Sequence, residues 1–60
     1  MSELFIEVGA IVRHRDEPGW GLGQVQSIVG NRIIVNFEHE GKVVLQGAEI
    51  PLELMRPDYL

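Results

Sequence analysis

No stretch longer than ten residues in this chain carries a helical repeat. Seven glycines and three prolines cut its 60 residues into short runs rich in Val, Ile and Leu. An amphipathic helix needs apolar residues at i, i+3, i+4 and i+7 over about 11 residues or more. The runs here are too short for that and alternate instead, so the spacing predicts strands joined by tight turns.

The clearest alternation is "RIIVNFE", where Ile33, Val35 and Phe37 face one way and Arg32, Asn36 and Glu38 the other. Ile34 is the apolar exception on the outer side. Upstream, "LGQVQSIV" places Val25 and Val29 on one parity and Leu22 and Ile28 on the other. A straight strand cannot bury both sets on one face, so a bulge or bend is expected near Gln26 and Ser27. Gly30-Asn31 suits a two-residue hairpin loop with positive φ at both positions, and "HEG" suits a second hairpin with Gly41 left-handed. "GAEI" reads as a single 3₁₀ turn. Pro51 cannot donate a ladder hydrogen bond, so it opens the last strand or lies on an edge.

Five strands are expected, near residues 10–14, 22–29, 32–38, 42–46 and 51–55. Curling so small a sheet on itself hides strand edges and makes one core, so the fold class is an all-β, half-open barrel. Its expected interior is Val12, Val25, Ile33, Val35, Phe37, Val43, Leu45, Leu52 and Leu54. Sixty residues make one domain, taken as 9–56, with an N-terminal segment 1–8 and a C-terminal tail 57–60.

Composition removes several function classes. So short a chain has no room for a deep catalytic cavity. The absence of cysteine rules out disulfides and thiolate zinc sites. The opening "MSELFIEV" is acidic where a secretory leader is basic, and no apolar run nears the ~18 residues of a membrane span. A cytoplasmic protein is expected, with no membrane association. The net charge of −4 argues against strong nucleic-acid binding. Most of that charge sits at the ends, on Glu3, Glu7 and Asp58, so the middle is close to neutral and holds the basic cluster "RHR" at 13–15.

"VGAIVRHRDEPGWGLGQV" and the segment beyond it, to about residue 55, resemble a family of small bacterial domains of unknown function. The resemblance rests on Gly9, Val12, His14, Trp20, Gly21, Gly23, Val25, Val35, Phe37, Gly41 and Lys42. The layout is similar to the Tudor-like C-terminal domain of UvrD/PcrA-type helicases. More distantly, it resembles the RNA-polymerase-interacting domain of CarD-like transcription regulators. The resemblance implies an SH3-like or Tudor-like barrel that binds a protein partner, RNA polymerase or a repair factor, and does no chemistry.

The candidate sites are weighed residue by residue. Gly19, Gly21 and Gly23 lack the third glycine and the helix of a dinucleotide fingerprint, and no Gly-Lys-Ser/Thr follows. Gly21 and Gly23 are expected to serve a positive-φ turn and a close backbone approach, and Gly30, Asn31 and Gly41 to form hairpin turns. No cofactor or small-molecule ligand is expected. His14 and His39, with Asp16, Glu38 and Glu40 nearby, lack metal-ligand spacing and read as surface histidines near turns. Ser27 has no nucleophile elbow, so no catalytic residue is assigned and the protein is expected not to be an enzyme. The four aromatics are too dispersed for a methyl-lysine cage. Candidate partner-binding residues are Trp20 as an aromatic anchor, Arg13 and Arg15 as a basic cluster, and Ile34 with Val44 as an outward apolar patch. That patch is expected to be covered by Phe5, Ile6 and Val8 folding back. The function expected is a non-enzymatic protein–protein interaction module. The alternatives are a weak nucleic-acid-binding barrel, using Arg13, Arg15, Arg32 and Lys42, and a homo-oligomeric structural protein.

Overall fold

A computed structural model describes residues 6–55. Strand β1 is Ile11–His14, β2 Leu22–Val29, β3 Arg32–Phe37, β4 Gly41–Gln46 and β5 Leu52–Leu54. They form one antiparallel sheet in the order β4-β3-β2-β1-β5. The sheet curls without closing, since β4 and β5 lie at opposite ends of the strand order.

Alternation decides what enters the core. Val12, Val25, Ile33, Val35 and Phe37 are buried, and Val43, Leu45, Leu52 and Leu54 pack half-buried against them. Ile6, Ala10, Trp20 and Ile50 complete the cluster. The shortest extent is 19 Å, so about one layer of interdigitated side chains fits inside the curl.

The bulge in β2 resolves its conflicting parities. Val25 pairs with Val35, but Ser27 pairs with Ile34, which leaves Gln26 as the extra residue. Beyond it Ile28 faces Ile33, so it shares the face of Val25 but lies at the rim, 36% exposed. Leu22 and Val29 stay outside, 41% and 66% exposed.

The turns follow from glycine and proline. Pro18 begins the 3₁₀ turn Pro18–Trp20, where its missing N–H costs nothing. Gly21 ends that turn at φ 79° and donates its N–H to the Pro18 carbonyl at 3.2 Å. A side chain on Gly21 would also meet His39 and Glu38 within 2.8 Å. Gly23 is needed for a different reason. The Phe37 ring and Val35 lie over it, and an added Cβ would fall 2.6 Å from Val35 Cγ1 and 2.7 Å from Phe37 Cδ1.

Three expectations are corrected. Gly30 has φ 59° but Asn31 does not have positive φ, so the loop has glycine first, the sign pattern of a type II′ turn. Residues 47–50 form no 3₁₀ turn. Gly47 sits at φ 138° with its N–H on the Asn31 carbonyl, and the chain then makes a γ-turn about Pro51, with Leu52 N–H donating to Ile50 O at 2.8 Å. Of the N-terminal segment, the described residues Ile6 and Val8 do not cover the outer patch. Gly9 N–H donates to Val25 O and Val25 N–H to Ala10 O, which ties the segment beside the bulge. Ile6 therefore joins the core, while Val8 is 62% and Val44 53% exposed. Phe5, the rest of 1–5 and the tail 57–60 lie outside the described residues.

Candidate partner-binding face

The outer face of the sheet is built by the residues that alternation turns away from the core. Cross-strand registry aligns Ile11 of β1 with Gln24 of β2, and Gln24 with Asn36 of β3. Arg13 aligns with Leu22 one step along. Glu38, just beyond β3, folds back over this end. Its backbone N–H donates to Leu22 O at 2.8 Å, and its Oε1 accepts from Leu22 N–H at 2.9 Å. Ile11, Leu22, Gln24, Asn36 and Glu38 thereby surround an open depression of about 470 Å³, floored at Gly23 and Phe37. Two exposed aliphatic side chains stand beside two amides and one carboxylate, a mixture suited to gripping a peptide-like surface.

The candidate residues from the sequence do not converge on one spot. Trp20 is half-buried, and its ring leans on the core. It lies 4.7 Å from His14 and 5.2 Å from Phe37 between centroids, steeply inclined to both. Most of the anchor role is thereby replaced by capping, because the 3₁₀ turn swings Trp20 inward. His14 is not a surface histidine but is buried at 7% exposure. In "RHR" the strand sends Arg13 and Arg15 out and His14 in, where Nδ1 accepts the Asp16 backbone N–H at 3.1 Å. Arg13 meets Glu53 directly across β1 and β5 at 2.7 Å, and Arg15 lies 3.6 Å from Asp16. Arg32 and Lys42 belong to β3 and β4, away from that pair, so no basic stripe forms among the described residues. Ile34 and Val44 do face each other across β3 and β4 on the outer side. Gly30 lies in the β2–β3 turn and Gly41 closes the β3–β4 turn as the first residue of β4, both at positive φ.

Sequence reasoning missed Ile11, Leu22, Gln24, Asn36 and Glu38 as a group. Part of the signal was visible, since Ile11 and Leu22 are apolar residues on the polar parity of their strands. Among the described residues no three His, Asp or Glu side chains are placed to hold a metal ion. None of their helices is long and apolar enough to cross a membrane.

These features define a small all-β domain with an open, curled five-stranded sheet, a filled core and an exposed outer face. The chain belongs to the family described as protein of unknown function (DUF3553), whose model matches residues 6–55. No curated protein and no solved structure matches it.

Proposed function

We propose that this domain is a non-enzymatic protein–protein interaction module of the cytoplasm that docks its partner on the outer sheet face. The observation that carries the reading is the depression between Ile11 and Leu22, with Gln24, Asn36 and Glu38 at its rim. Exposed aliphatic residues on a sheet face lose water when a partner covers them, and flanking amides fix its orientation. The resemblance to helicase C-terminal domains and CarD-like regulators makes RNA polymerase the first partner to test, ahead of repair factors.

The test is a binding titration of the full chain against RNA polymerase, with Leu22→Lys and Ile11→Lys beside the wild type. Wild-type binding is expected in the micromolar range, with each variant weakened about tenfold or more, on the order of 1.4 kcal/mol. A parallel titration with DNA and RNA at low salt distinguishes the nucleic-acid reading. Binding there that falls steeply with salt, with none to polymerase, overturns the proposal.

A further inference from the structure

We infer that the free edge of β4 is a self-pairing surface, whose occupant is β4 of a second copy of this chain in antiparallel, two-fold register. Gly47 N–H donates to Asn31 O at 3.2 Å, in step with the β3–β4 register. Bonding directions alternate along an antiparallel pair, so Gly41, Val43 and Leu45 bond toward β3. Lys42, Val44 and Gln46 therefore aim their N–H and C=O groups away from β3, along an edge that pairs with no strand among the described residues.

That outward set is symmetric about Val44. A two-fold axis there sets Val44 against Val44 of the second copy and Lys42 against its Gln46, each facing pair exchanging both bonds. The side chains agree with this register. Lys42 is the one charged residue of β4 and meets a neutral amide, so no like charges oppose. On the outer face the two Val44 side chains, each 53% exposed, join the Ile34 residues behind them into one apolar row. On the inner face Val43 meets Leu45 of the other copy, and both are only half-buried in the single chain. The core would then run on across the axis.

The two edges of the sheet also differ in protection. The β5 edge is three residues long and follows Pro51. The β4 edge has six residues, no proline and a register with β3 free of any bulge. Short strands, proline, bulges and edge lysines are the usual blocks to edge pairing, and β4 has only Lys42, which meets Gln46 across the axis rather than another charge.

Sedimentation equilibrium of the full chain between about 10 µM and 1 mM tests this, the range expected for a small interface. The wild type should approach twice the monomer mass at the upper end. Val44→Lys and Val44→Glu should each stay monomeric with unchanged far-UV circular dichroism, and a 1:1 mixture of the two should regain the dimer. Wild type that is monomeric throughout, either variant that dimerises like wild type, or a mixture that stays monomeric overturns the inference. Should a variant unfold, isotope-filtered contacts between Val44 methyls of two wild-type copies decide it. Their presence supports the register and their absence overturns it.

Discussion

Gly23 and His14 show how single residues are fixed by what lies above them. At Gly23 the strand passes directly beneath Phe37 and Val35, with 2.6 Å left for a Cβ. A Gly→Ala change at an unobstructed site gains about 0.4–1 kcal/mol from a stiffer unfolded chain. Overpacking a close contact costs about 1–3 kcal/mol, so the clash wins. Gly23→Ala should thus lower the urea midpoint at unchanged slope, by a net destabilisation on the order of 1–2 kcal/mol. An unchanged or raised midpoint would mean that Phe37 yields. His14 packs edge-on against Trp20, beside Phe37, while its Nδ1 satisfies the Asp16 N–H. The Arg13–Glu53 pair sits at the opposite extreme. Both side chains are nearly half exposed, so solvent screens them. Glu53→Gln should cost less than about 1 kcal/mol, and the loss should shrink further in 1 M salt.

At the scale of elements, the bulge at Gln26 connects sequence to packing. It puts Val25 and Ile28 on one face of the strand, although they lie three residues apart. Deleting Gln26 removes the extra residue and leaves Val25 and Ile28 two apart, so each keeps its partner, Val35 and Ile33. No pairing is lost, and the cost should be at most about 1 kcal/mol, read by thermal or urea unfolding. A loss well above that would show that the bend at Gln26 itself shapes the sheet. The bulge was legible because parity conflict within one strand has few physical remedies. The hairpin positions were legible from Gly30 and Gly41, which supply positive φ. Residues 47–50 were not legible. A short segment with no alternation is placed by tertiary hydrogen bonds, here Gly47 to Asn31, rather than by local preference. The inward swing of Trp20 was likewise hidden, since it depends on the 3₁₀ turn at Pro18 and on the His14 and Phe37 rings it meets.

For the whole molecule, the same alternation that fills the core also writes the surface. Each strand spends one parity on the interior, so every large apolar residue on the other parity stands on the outer face. Ile11, Leu22, Val29 and Val44 are such residues. The candidate site was only partly legible because it is assembled across β1, β2 and the end of β3, and registry between strands is not written in any one of them. Ile34 and Val44 were found from parity alone and do adjoin, whereas Arg13 and Arg15 were grouped by sequence adjacency and each has an acidic neighbour. With no basic stripe among the described residues and a net charge of −4, the proposed partner is a protein surface rather than a phosphate backbone.

The most direct test is an amide chemical-shift map of the isotope-labelled full chain titrated with RNA polymerase. Shift changes and broadening are expected to centre on Ile11, Leu22, Gln24 and Asn36, with the amides of Val12 and Val35 in the core little affected. No perturbation at tens of µM polymerase, about the range of weak interfaces, or perturbation centred on Arg32 and Lys42 by nucleic acid alone, would contradict the proposal.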